Sequence, residues 1–283
     1  MLELMLAGGK EDLGVYGEVS FLGDVLTTSA TNWRVPEGVT SICAVLVGHG
    51  GGNGSVVNNR IAGRGGALRW INNIPVTPND VINLYIPINN TAVNNATLSK
   101  AGTLILQAQS GLSSVGSTVM DGVTIGGGDG GNVVTSGVCG GGGAGGYIGN
   151  GGNGTSSAGL PGAGGGGGGG CYFYSRYSAK NFGTVGGGVG LYGILNGVVQ
   201  SGAGSVTESI PQGGSPSLSL GKGGSGGKDG VYSNGYLMGG NYGGGGDGGP
   251  GSGYVYSGGP GAIRIIWGKG RSFPYDAKYI APK

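Results

Sequence analysis

The only histidine of the chain, His49, stands in Val47-Gly-His-Gly-Gly-Gly52. A serine–histidine–acid triad would have to use it, and a histidine metal site needs a second one, which the sequence lacks. It reads as a turn or core-edge residue. Glycosidase chemistry needs two carboxylates about 5–10 Å apart. The 13 acidic residues leave such a pair open, but Asp129 and Asp247 each lie in a glycine run, without the apolar surroundings that raise a general acid's pKa. Lys222 and Lys269 are each followed by glycine, so the phosphate-binding Gly-x-x-x-x-Gly-Lys-Ser/Thr loop is missing. The pattern Gly-x-Gly-x-x-Gly recurs trivially in a chain with 76 glycines and carries no information. Regular Gly-Gly-x-Gly-x-Asp repeats, the mark of calcium-binding β-rolls, are absent. Lys and Arg are dispersed, which lacks the basic footprint expected for nucleic acid. Cys43, Cys139 and Cys171 are odd in number, without metal spacing, and read as free thiols of a protein folded in a reducing cytoplasm, one disulfide remaining open. The expectation is a protein that is not an enzyme and needs no cofactor and no metal.

What remains is surface recognition. Tyrosine set among serine, glycine and asparagine is the composition antibodies use for contact loops, because its ring brings amphipathic area at small entropic cost. The tuft Tyr172, Phe173, Tyr174, Arg176 and Tyr177 is the leading receptor-contact candidate, followed by Tyr232, Tyr236 and Tyr242. Tyr254 and Tyr256 belong to the same series. The competing account is that these aromatics cover the ends of the glycine-rich region. Residues 1–26 concentrate charge among apolar residues and read as a docking segment, a first strand or a flexible tail being the alternative, with Leu2, Leu4, Leu6, Leu13 and Tyr16 as the docking contact candidates. The opening Met1-Leu-Glu-Leu-Met-Leu-Ala7 has no basic flank and is too short for a signal peptide.

The elements that would position these residues follow from composition. Glycine fills 76 of 283 positions, against a usual share of about 7%. Collagen is excluded, because the glycines come in runs and there are only 11 prolines. Disorder is opposed by 14 tyrosines, 4 phenylalanines, 3 tryptophans and a net charge of only +2. Val39–Val47, Ala67–Ile71, Val81–Ile86, Thr103–Ala108 and Ala262–Trp267 read as strands, with a turn at 77–80. No comparable strand is expected between 110 and 260, and no helix anywhere. The last strand must therefore pair with the first ones. The expected fold is all-β: a small β-sandwich-like domain from 27–109 plus 261–275, a glycine-rich insertion over 110–260, and a tail at 276–283.

Glycine runs can be structure. An extended threefold helix points its backbone N–H and C=O groups outward. Where the residues facing a neighbour are all glycine, several such helices can pack closely and bond one another, which satisfies groups that must be paired when buried. The insertion is expected to be packed polyglycine-II-type helices, with the larger tufts in the connecting turns.

Several stretches now match a known family. Trp33-Arg-Val-Pro-Glu-Gly-Val-Thr-Ser-Ile42 running into the glycines after Val47 resembles the opening of the glycine-rich domain of bacteriophage tail and receptor-binding proteins. Gly65-Gly-Ala-Leu-Arg-Trp70 with Val76-Thr-Pro78 is similar to its next strand pair. Gly258-Gly-Pro-Gly-Ala-Ile-Arg-Ile-Ile-Trp267 through Phe273-Pro274 resembles its ending. The resemblance spans about residues 30–275, by residues at both ends and by composition between. The middle is similar in style to the tail-fibre adhesins of T-even-type phages, in which polyglycine helices present loops to outer-membrane receptors. Residues 1–26 depart from the attachment domain of those adhesins.

The resemblance implies a virion tail protein made in the host cytoplasm. Its partners would be other tail proteins, further copies of itself, and a host outer-membrane protein or polysaccharide, without nucleic acid or membrane insertion. A purely structural tail, collar or capsid decoration protein and a polysaccharide-degrading tail enzyme are the alternatives.

Overall fold

Alternation along two apolar runs determines how the centre of the molecule is layered. The computed structural model describes residues 15–23, 28–52, 62–87, 95–111, 126–133, 140–155, 185–194, 239–246 and 257–275, and the backbone alone at 125, 171–174, 180–183, 195, 198–201, 231–233, 236–238 and 256. Strand β3 (Ser41–Val47) is buried at every position after the first. Its Ile42, Ala44 and Leu46 enter one apolar cluster, and its Cys43, Val45 and Val47 enter a second. Strand β16 (Ala262–Trp267) divides likewise: Ile263 and Ile265 face the first cluster, Ala262 and Ile266 the second. A strand covered on both faces has few polar positions to spare, hence the apolar runs visible in the sequence, interrupted in β16 only at Arg264.

The remaining strands, in chain order, are β1 (Gly17–Leu22), β2 (Ser29–Arg34), β4 (Leu68–Pro75), β5 (Val81–Ile86), β6 (Ala96–Lys100), β7 (Thr103–Ala108) and β8 (Ile125–Gly126). Two antiparallel sheets result, with orders β1-β16-β3-β4-β8 and β2-β5-β6-β7. The last strand does pair with the early ones: β16 lies between β1 and β3, in register from Gly17↔Trp267 to Leu22↔Ala262 and from Ala262↔Val47 to Ile266↔Cys43. The first cluster draws Ile82, Leu84 and Ile86 of β5 and Leu98 of β6 onto Ile42, Leu46 and Ile265. Each such side chain, fully buried, contributes about 1.5–3 kcal/mol before the entropy of ordering is counted. Among the described residues there is no helix, and none long and apolar enough to cross a membrane.

Local geometry explains the joints. The expected turn at 77–80 is present: Asp80 N–H donates to Thr77 O at 3.0 Å, and Thr77 N–H to Asp80 Oδ2 at 2.7 Å. In β4 an extra residue opposite Ile42–Ala44 makes a bulge, and Asn73 takes it up at φ 58°. The hairpin from β6 to β7 turns on Ala101 and Gly102, both left-handed at φ 49° and 79°.

Two expectations are corrected. Residues 17–22, read as part of a separate docking segment, form an edge strand of the larger sheet, because Val19 and Phe21 supply apolar side chains to the first cluster. The stretch between 110 and 260 also holds a strand as long as β3, namely β11 (Val189–Leu195), whose Val189, Leu191 and Ile194 are core residues of the second cluster.

Beyond that cluster lies a layer of glycine segments whose backbone bonds step by three residues. Gly48 and Gly51 donate to Ala67 O and Arg64 O; Gly63 and Gly66 donate to Gly246 O and Gly243 O. Gly142 and Gly145 donate to Gly63 O and Gly66 O, Gly140 and Gly143 to Thr155 O and Gly152 O, and Gly151 and Gly154 to Asp129 O and Asn132 O. All ten bonds measure 2.7–3.1 Å. The segment 63–67 alone is bonded to neighbours at 48–51, 131, 142–145 and 243–246, more than the two a strand in a sheet can have. The layer therefore takes in 48–52 and 62–67, ahead of the region from 110 onward to which the sequence had assigned it.

Candidate functional site

Three short antiparallel pairs continue directly from glycine segments of this layer. β9 (Cys171–Tyr174) pairs with β10 (Lys180–Gly183), which leads to 185–188. β11 pairs with β12 (Val198–Ser201), and β13 (Val231–Ser233) with β14 (Tyr236–Met238), which leads into 239–246. β15 (Tyr256–Ser257) lies parallel to β14.

The tyrosine candidates fall on these elements unequally. Tyr172, Phe173 and Tyr174 are in β9, opposite Phe182, Asn181 and Lys180. Arg176 and Tyr177 lie outside the described residues, as do Leu2, Leu4, Leu6 and Leu13. Tyr232 is paired with Leu237, and Tyr236 with Ser233. Tyr242 is half-buried at the root of β11: its N–H donates to Val189 O at 2.8 Å and its carbonyl accepts from Val189 N–H at 2.9 Å. Burial raises its hydroxyl pKa, and the nearby Tyr192 adds to this. It packs against the second cluster. Tyr16, a docking candidate, is half-buried just before β1, where its ring lies against Gly268.

The best-built polar cluster escaped the sequence reading. Arg264 interrupts the apolar run of β16 on the face turned to the second cluster, and it is fully buried. Its Nη1 donates to Leu191 O at 3.0 Å and its Nη2 to Glu18 Oε2 at 2.7 Å. Arg271 Nη2 reaches the same Glu18 oxygen at 2.7 Å while its Nη1 donates to Gly17 O at 2.7 Å. Burial pushes the Glu18 carboxyl upward, but hydrogen bonds from Arg271 and Arg264 and their charges outweigh it, so the pKa lies below the ordinary 4.5. The Arg264 guanidinium also stands over the rings of Tyr192, at 4.8 Å, and Phe273, at 5.9 Å. Phe273 stacks in turn on Tyr147 at 5.9 Å. The signal available in the sequence was one charge at an inward position of an apolar strand, with an acid at the start of the chain to match it.

A second feature lies at the edge of the glycine layer. Asp129 and Asn132 donate their N–H groups to the side-chain oxygens of Asn150 and Asn153, each at 2.8 Å. Asp129 forms an ion pair with Arg69 of β4, which ties this edge to the sheet. All four of these Asp and Asn residues are exposed at three-residue intervals among glycines.

His49 is buried, its Nδ1 2.9 Å from Gly50 O. Cys43 is buried, and its thiol donates to Arg271 O at 3.5 Å. Among the described residues no three His, Cys, Asp or Glu side chains gather as metal ligands would. No family model matches the chain, and no curated protein matches it.

Proposed function

We propose that this chain is a non-enzymatic adhesin of a bacteriophage tail, which contacts the host surface through aromatic hairpins carried on a rigid glycine-built block. The observation that carries this reading is the three-residue step of the glycine bonds, combined with antiparallel pairs joined to the glycine segments 185–188 and 239–246. Three residues per turn is the repeat of an extended threefold helix, so the layer reads as packed polyglycine-II-type helices. The two sheets sharing one core read as the sandwich-like base. Together these give a support with little freedom to lose, to which the strands that contain Tyr172, Tyr174, Tyr232 and Tyr236 are joined. Preorganised contacts of this kind bind weakly one at a time and strongly in multiple copies, which suits a virion part. Other tail proteins and a host outer-membrane protein or polysaccharide are the partners this reading implies.

Purified protein should bind intact host cells, and a folded variant with Tyr172, Tyr174 and Tyr177 changed to Ala should lose that binding. Equal binding by both proteins would remove the 172–177 tuft as the contact while keeping adhesion. Absence of binding where the phage itself adsorbs would favour a purely structural part of the particle.

A further inference from the structure

Tyr192 is the tyrosine whose surroundings are most completely built. It sits in β11 next to the buried Leu191, and the residue is 46% exposed. The Arg264 guanidinium behind it is immobilised by Leu191 O, Glu18 and the Phe273 ring. An exposed ring backed by a fixed cation has little freedom left to lose when a ligand settles on it. The Glu18 carboxylate shares that guanidinium and its side chain is 40% exposed, which places a hydrogen-bond acceptor near the ring. Tyr242, hydrogen-bonded through its backbone to Val189 three residues before Tyr192, lies close enough for the two phenols to influence one another.

Charge and solvation select among ligands. Arg264 and Arg271 against Glu18 leave one net positive charge, which disfavours an ammonium or guanidinium ligand. A purely apolar ligand would strip water from the carboxylate without replacing its hydrogen bonds. A pyranose meets both demands: its C–H face covers an aromatic ring, and its hydroxyls donate to a carboxylate and exchange hydrogen bonds with a phenol. We infer that Tyr192, with Glu18 and Tyr242 beside it, forms a saccharide-binding site that takes a pyranose ring against the exposed ring of Tyr192. This deepens the adhesin reading, on which it rests, by giving the receptor a chemistry.

Saturation-transfer NMR on the full chain tests it, with the methyl glycosides of glucose, galactose, mannose and N-acetylglucosamine as probes. Wild type and Tyr192→Phe should transfer magnetisation to the ring protons of at least one probe. Tyr192→Ala should bind that probe about tenfold more weakly, as loss of a contact aromatic does. Should Tyr192→Ala fail to fold, tyrosine-labelled wild type supplies the second measurement: the Tyr192 ring resonances should move on titration with the bound probe. No transfer from any of the four to wild type, equal transfer in a folded Tyr192→Ala, or unmoved Tyr192 resonances would each overturn the site. Because no cells are involved, the site can fail while adhesion through residues 172–177 stands.

Discussion

Between β5 and β6, partners run Ile82↔Lys100, Asn83↔Ser99, Leu84↔Leu98 and Tyr85↔Thr97, and the side chains alternate between a buried and a solvent-facing side. In the glycine layer the bonds recur every third residue, and Gly63–Ala67 has bonded neighbours on several sides. Both regions pair their backbone polar groups. The sheet does so in one plane and leaves its faces to side chains, so its stability comes largely from what those side chains bury. The layer does so in several directions and leaves no room for side chains. A Cβ on Gly65 would lie 1.8 Å from Gly143 O, and one on Gly63 would lie 1.7 Å from Gly51 O. One region depends on the groups present at each position and the other on their absence.

Three measurements sharpen that contrast. The largest effect is expected for Gly65→Ala, which should cost about 3–5 kcal/mol in chemical denaturation, since neither backbone can move aside. The same change at Gly102, in a sheet hairpin, meets nothing within 4 Å and suffers only the strain of φ +79°, so it should cost about 1 kcal/mol. Equal costs at the two sites would break the comparison.

Next comes Glu18→Gln, at the seam between sheet and layer. Removing the acid leaves Arg264 buried with its charge uncompensated, and about 1–3 kcal/mol should be lost, less than for a fully buried pair because Glu18 is partly solvated. The folded-state pKa of Glu18 lies below its ordinary 4.5. Its contribution is therefore fully present above that value and lost as pH falls through the folded pKa. The melting difference between wild type and variant should be constant from neutral pH down to about 5 and should shrink below it. A constant difference at every pH would show that the carboxylate charge is not what holds the seam.

The smallest effect is expected for Asp80→Asn. Hydrogen bonds from Lys100 and the Thr77 N–H lower the Asp80 pKa, but both members of the pair reach solvent, with side chains 26% and 32% exposed. Its melting curve should overlay that of wild type in high salt, where surface pairs are screened. A large loss would mean that the hairpins of the smaller sheet depend on their turns more than on their buried face.

The same contrast explains what could be read in the sequence. β3 and β16 were legible because side chains record burial: Ile42 to Val47 is apolar on both faces, and Ala262 to Ile266 is apolar at every position but Arg264. The 77–80 turn was legible because Pro78, Asn79 and Asp80 each favour it for a stated reason. β11 was not, since Gly190 and Gly193 break its apolar pattern. β1 was misassigned because Glu18 looked like part of a charged tail, when its partner Arg264 lies 246 residues away. Tyr192, the proposed sugar platform, was not among the tyrosines that the sequence singled out. The layer's partners were the least legible of all, since a glycine carries no size, charge or polarity by which its neighbour could be named.

The three-residue step also imposes a grammar on insertions and deletions. Removing one residue from the segment around Gly142 and Gly145 would turn every later N–H by about 120°, away from its acceptor. Removing three would restore the phase. Length changes in the glycine segments should therefore be tolerated in triplets, whereas the hairpins attached to them can lengthen, shorten or be exchanged by any number. Such a chain can vary its hairpin lengths while their support stays in frame.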